Sequence, residues 1–125
     1  AAVTGRRITI YGDGKQVRDV LHVEDLMNAY DAAVEKIETA KGQVYNMGGG
    51  TRNVMAIWAE FGPILERLLG KKIEVDRADW RPGDQKVFYA DFRKAQRELG
   101  WEPKIDLEEG IERLFNWVKE NRELF

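Results

Sequence analysis

The chain has 125 residues, of which 43% are apolar and 34% charged, enough for one compact core and too apolar for a disordered segment. Lys and Arg number 20 against 22 Asp and Glu, so the net charge of −2 lacks the basic excess of nonspecific nucleic-acid binders. There is no cysteine and a single histidine, His22, which excludes disulfides, thiolate chemistry and Cys- or His-based metal cages. No apolar run approaches the ~20 residues of a membrane span, so a cytoplasmic protein without membrane contact is expected.

The opening Ala1-Ala2-Val3-Thr4-Gly5 has no initiator Met and no signal-peptide pattern, as a processed or excised piece of a longer protein would have. Short strand-like runs then alternate with amphipathic helices, which predicts an α/β chain with about four helices. Arg7–Tyr11 alternates, Gly12-Asp13-Gly14 is a turn signal, and Gln16–Leu21 alternates again, so 7–21 reads as a β-hairpin. Val23, Leu26, Tyr30, Ala33, Val34 and Ile37 have helical spacing, with Glu24 and Asp25 in the first turn. Gln43–Met47 reads as a strand running into Gly48-Gly49-Gly50. A helix is expected from about Asn53 to Gly70, kinked or broken at Gly62-Pro63 because proline removes a hydrogen bond. Lys72–Arg77 and Lys86–Tyr89 read as extended, with Arg81-Pro82-Gly83-Asp84 as a loop between them. Phe92–Leu99 and Asp106 to about Arg122 read as helices, the second with Asp106 and Glu109 at capping-box spacing and Leu107, Ile111, Leu114, Phe115 and Val118 on one face.

Several motifs invite chemistry. Gly48-Gly49-Gly50-Thr51 lies between a strand and a helix, where backbone amides attract phosphate. Yet G-x-G-x-x-G would need glycine at Asn53, and no Gly-Lys-Ser/Thr follows, so a structural turn is the stronger reading. Tyr11 and Lys15 have Tyr-x-x-x-Lys spacing, but that pair must share one helical face and Gly12-Asp13-Gly14 lies between them. It is a decoy. His22 is of a residue type that often acts as a general base, but no nucleophile lies near it in sequence, which favours a satisfied junction histidine. Arg18 on the second strand and Arg81 in a proline-held loop could make preorganised phosphate contacts, with Asp84 accepting from ribose hydroxyls. Surface salt bridges explain the same residues equally well, and composition does not choose.

A longer pattern does. Ile8-Thr9-Ile10-Tyr11-Gly12-Asp13-Gly14-Lys15-Gln16-Val17-Arg18-Asp19-Val20-Leu21-His22-Val23-Glu24-Asp25 resembles the segment just past the middle of extended short-chain dehydrogenase/reductase enzymes, the NAD-dependent nucleotide-sugar epimerases and dehydratases. Val44–Gly50, Arg81-Pro82-Gly83-Asp84-Gln85, Asp91, Lys94-Ala95, Leu99-Gly100-Trp101-Glu102-Pro103 and Leu107–Gly110 resemble their later motifs in the same order. The resemblance covers residues 6–123 and is similar in detail to UDP-glucose 4-epimerase-like and CDP-tyvelose (CDP-paratose) 2-epimerase-like members.

The resemblance implies that Arg18 and Arg81 contact a nucleotide-sugar diphosphate and that Asp84 approaches the ribose. It also implies NAD for the parent enzyme, whose glycine fingerprint and helical Tyr-x-x-x-Lys pair are not found in this sequence. Residues 1–125 are then a single nucleotide-sugar-binding C-terminal region of a Rossmann-fold isomerase, inert without its cofactor half, with no cofactor site of its own. Val54–Leu69 would turn Trp58, Phe61 and Leu65 toward that missing half, and strand 43–47 would lack its neighbours, so self-association is expected. A non-catalytic α/β scaffold module is the alternative.

Overall fold

The computed structural model describes residues 1–125, and its chain clusters into two compact units. The first comprises residues 1–18, 55–88 and 111–125, and the second 19–54 and 89–110. No helix is long and apolar enough to cross a membrane.

In the first unit, β1 (Ile8–Tyr11) pairs in parallel with β4 (Val75–Ala78), in register from Ile8 opposite Val75 to Tyr11 opposite Ala78. β2 (Val17–Asp19) pairs in parallel with β5 (Val87–Phe88) and is the centre of a sheet of order β3-β2-β5, where β3 is Val54–Ala56. The expected hairpin over 7–21 is therefore not formed. The hydrogen-bonding edge of β1 belongs to β4, and Gly12 N extends that ladder by donating to Ala78 O at 2.9 Å. The Gly12–Gly14 turn redirects the chain instead of folding it back, and Val17 N donates to Lys86 O at 2.8 Å.

The helix expected from Asn53 also differs. Gly50–Arg52 is a 3-10 turn, β3 follows, and α3 (Phe61–Leu69) begins only two residues before Pro63. Its first four N–H groups need no helical partner, so proline there costs no hydrogen bond, and the break falls before it. Of the three side chains expected to form an exposed patch, Leu65 is buried, Phe61 is half-buried and Trp58 is half-buried over Gly62 and Gly14. Ile10, Ala56, Leu65, Ile111 and Phe115 are the buried apolar residues of this unit.

In the second unit, α1 (Val23–Glu35) is followed by α2 (Ile37–Ala40), and α4 (Arg93–Leu99) stops at Gly100. Ala29, Ala95, Leu99 and Trp101 form its buried core, flanked by Leu21, Ala32, Ala33, Tyr45, Met47 and Phe92. The inner face of α1 is thus alanine-rich. Of the residues whose spacing marks the helix, Val23, Tyr30, Val34 and Ile37 are more than half exposed, and Met27 joins them. Residues 43–47 are extended but belong to no sheet. They are held from the side by α4: Tyr45 donates to Glu98 at 2.9 Å, and Lys94 Nζ donates to Val44 O at 3.1 Å and lies over the Tyr45 ring. The last helix, α5 (Leu107–Glu120), divides between the units at residue 110; it has the expected Asp106 cap, which accepts from Glu109 N at 2.9 Å, but Leu114 is exposed.

The polar anchor of the second unit is Asp25, only 1% exposed. Its carboxylate accepts from Lys104 N at 3.1 Å and Ile105 N at 3.0 Å, while its carbonyl accepts from Trp101 Nε1 at 2.8 Å. One residue so ties α1 to the loop after α4. Asp25→Ala leaves two backbone donors without their partner and is expected to cost about 2–4 kcal/mol in urea unfolding. A change within about 0.5 kcal/mol, as at ordinary surface sites, would contradict the anchor.

At the entry to α4, the Arg93 side chain, helped by the Arg93 N–H, holds the exposed Asp91 carboxyl down at about 2. A carboxyl lowered on folding adds its stabilisation above the ordinary aspartate range and loses it as pH falls toward 2. Its carboxyl resonance should titrate near 2, and Arg93→Ala should return the midpoint toward the usual range. An unmoved midpoint would show that Arg93 is not the cause.

Candidate functional site

The site is built from two stretches that the parallel ladders of the first unit hold together. One is the turn after β1 and its continuation into β2, and the other is the loop between β4 and β5. Gln16 and Arg18 are two residues apart on an extended segment, so their side chains share a face. Asp13 Oδ1 accepts from Lys15 N at 2.9 Å and shapes the turn that delivers them.

On the other stretch, Asp84 N donates to Arg81 O at 3.1 Å, and Gly83 has φ +78°. Pro82 and Gly83 therefore occupy the two central positions as a type II turn demands, with positive φ at the second. Trp80 anchors the loop from below. Its indole packs on the Gly12 backbone so closely that a Cβ there would fall 2.6 Å from the ring.

These constraints bring Arg18 and Arg81 to one carboxylate. Arg18 Nη2 donates to Asp84 Oδ1 at 3.0 Å, and Arg81 Nη2 lies 3.8 Å from Asp84 Oδ2. The Asp84 side chain is 9% exposed and that of Arg18 27%, so this pair is far better shielded than an ordinary surface bridge. Arg81 is the more open partner and rests over the Tyr11 ring, its Cζ 4.8 Å from the centroid. Two guanidinium groups against one carboxylate leave one positive charge in excess.

Gln16 is the residue that sequence reasoning did not single out. It is buried, and its Nε2 donates to Tyr11 O at 2.8 Å and to Asp84 Oδ2 at 3.1 Å. Its Oε1 is buried without a hydrogen-bond partner. The period-2 relation to Arg18 was the available signal. Tyr11 likewise matters as the ring under Arg81, not through Tyr-x-x-x-Lys spacing, since it ends a strand and Lys15 follows the turn.

The other motifs serve packing. A side chain on Gly48 would strike Asp19 and Ala90, one on Gly49 the Val20 carbonyl, and one on Gly50 the Phe92 ring. Asp19 Oδ2 accepts from Gly50 N and Ala90 N at 3.2 and 3.0 Å, so the glycine run is engaged with its own chain. Neither this run nor the Tyr11–Lys15 pair fits a dinucleotide. His22 caps α1, its Nδ1 accepting from Glu24 N at 3.2 Å. A cavity of about 210 Å³ in the second unit, lined by Arg52, Phe92, Gln96 and Glu102 among others, includes none of the arginine–aspartate group.

The sequence profile of the GDP-mannose 4,6 dehydratase family matches residues 1–114. The UDP-glucuronate 4-epimerase of Thermodesulfobacterium geofontis is 40% identical over 94% of this chain and 35% of its own length. The CDP-paratose 2-epimerase of Salmonella typhi is 34% identical over 88% of this chain and 32% of its own length. Among solved structures, the UDP-glucose 4-epimerase of Bifidobacterium longum in complex with NAD+ and UDP superposes with a TM-score of 0.84 at 30% identity, covering 99% of this chain and 39% of that one. The chain spans about a third of the length of the curated relatives it matches. It belongs to the GDP-mannose 4,6 dehydratase family, with the α/β fold of extended short-chain dehydrogenase/reductase epimerases and dehydratases, and corresponds to their C-terminal portion.

Proposed function

We propose that this chain is the nucleotide-sugar recognition part of an NAD-dependent sugar-nucleotide epimerase or dehydratase. Arg18 and Arg81 hold the diphosphate, and Asp84 meets the nucleotide ribose. The observation that carries this reading is the convergence of two guanidinium groups, from separate segments, on one shielded carboxylate. A diphosphate presents about two negative charges and accepts paired hydrogen bonds, which matches two arginines better than one aspartate does. The family relationship supports the same ligand class.

On this reading the chain's own residues bind and orient. Energy from the remote diphosphate fixes the sugar for reaction, and hydride transfer is supplied by NAD held on a different part of the enzyme. The chain by itself is inert. Titration calorimetry should detect weak UDP binding, which Arg81→Ala weakens several-fold, since charged hydrogen bonds contribute about 1.5–3 kcal/mol when buried and less when open. UDP-glucose with added NAD should not be turned over. Turnover by the purified chain, or UDP affinity indifferent to Arg81, would refute the assignment.

The partner this reading needs is a cofactor-binding half. The support lies on α1, which has apolar residues on two sides. Ala29, Ala32 and Ala33 face the core, while Val23, Met27, Tyr30 and Val34 recur every three or four residues on a solvent-exposed stripe, and Ile37 at the start of α2 is exposed as well. A helix apolar on both faces belongs between two layers, and the relatives are roughly three times as long as this chain. Without that cover the chain should self-associate at micromolar concentration in sedimentation equilibrium, and Tyr30→Glu with Val34→Glu should return it to monomer. A clean monomer for the parent chain would count against the stripe as a covered surface.

A further inference from the structure

We propose that Asp84 is an internal counter-anion for the arginine pair, and that Gln16 is the positioning residue that keeps it displaceable. The proposal rests on the assignment of Arg18 and Arg81 to an anionic ligand. It adds that the ligand enters by exchange with a carboxylate of the protein.

The geometry carries it. The two Asp84 oxygens have different partners: Oδ1 accepts from Arg18 at 3.0 Å, and Oδ2 accepts from Gln16 at 3.1 Å. Arg81 approaches that same Oδ2 but stays 3.8 Å away, beyond hydrogen-bond distance, with its guanidinium on Tyr11. Gln16 therefore takes one acceptor direction of the oxygen on which Arg81 would close to complete a two-arginine clamp. Its amide orientation is fixed, because a flipped amide would set an acceptor against both the Tyr11 carbonyl and the Asp84 carboxylate.

Gln16 is also an expensive residue to keep. It is 3% exposed, and its Oε1 is buried without a partner, a desolvation cost that its two Nε2 hydrogen bonds must offset. An apolar side chain of the same length would avoid that cost. What such a side chain would lose is the bond to the Tyr11 carbonyl and the hold on Oδ2. With Gln16 in place, Asp84 neutralises Arg18 while Arg81 remains available, and a diphosphate can take Arg81 first and Arg18 second. Asp84 then keeps its bond to Gln16 and stays at the edge of the site.

Inorganic pyrophosphate tests this, because it has neither ribose nor base and so removes any direct role of Asp84 in binding the nucleotide. Calorimetry on the full chain should give Asp84→Asn an affinity for pyrophosphate about tenfold above wild type, as loss of a competing charged hydrogen bond implies. Gln16→Met should weaken binding, because Arg81 can then close on Oδ2. In the Asp84→Asn background Gln16→Met should have no effect, which a merely structural role for Gln16 would not produce. Wild-type binding that Arg18→Ala weakens but Asp84→Asn leaves unchanged or lowers would overturn the exchange mechanism while keeping the anion site. Absence of binding in wild type and Asp84→Asn alike would overturn both. Because the Asp84→Asn result decides the matter alone, poor folding of Gln16→Met does not rescue the idea.

Discussion

Two parallel ladders, β1 on β4 and β2 on β5, govern everything the first unit presents. Each joins the same two stretches of chain, so the turn over 12–16 and the loop over 79–86 leave one ladder together and enter the next together. Neither segment has regular structure of its own. Each is short enough that its ends determine its path, and the entropy of ordering it is met mainly by the strands on either side. The Trp80–Gly12 packing and the Arg81–Asp84 turn then remove the freedom that remains. Arg18, Gln16, Arg81 and Asp84 meet because the ladders leave little other choice.

That arrangement explains what was legible in the sequence. Arg81-Pro82-Gly83-Asp84 specifies its turn locally, because proline fixes one dihedral and glycine supplies the next. Asp106 and Gly100 mark helix ends for equally local reasons. Strand pairing is not local. An alternating run, a glycine turn and a second alternating run describe a hairpin, and also describe two strands that each pair with something about 70 residues away. The register that placed Gln16 beside Asp84 was hidden for that reason. Proline gave a clearer signal: of the kink or break it predicts, the chain takes the break, and α3 begins only two residues before Pro63.

The second unit shows a different limit. Hydrophobic periodicity identified α1 as a helix but did not say which of its apolar residues are buried, and the helix has apolar residues on two faces. Alanine is common on helices whichever way they face and has little apolar area, so a hydrophobic pattern is set mainly by larger side chains such as Val, Tyr and Ile. In α1 the small residues face the core and the large ones face outward. Asp25 adds to the inversion, because a buried carboxylate is invisible to hydrophobic pattern and is stabilised only by amides about 80 residues distant.

The bracketing of the 79–86 loop also sets which kinds of genetic change this surface can absorb. Side-chain replacement at loop positions other than Trp80, Pro82 and Gly83 leaves the turn and both ladders intact. Changes of length are another matter. One inserted residue between Ala78 and Val87 must bulge outward, or it shifts β5 by one position and turns every following strand side chain to the opposite face. The same holds between Tyr11 and Val17. Lineages carrying this site should therefore diversify by substitution while conserving the spacing of its two segments, and a mutagenesis library built on it gains more from varied residues than from varied loop lengths.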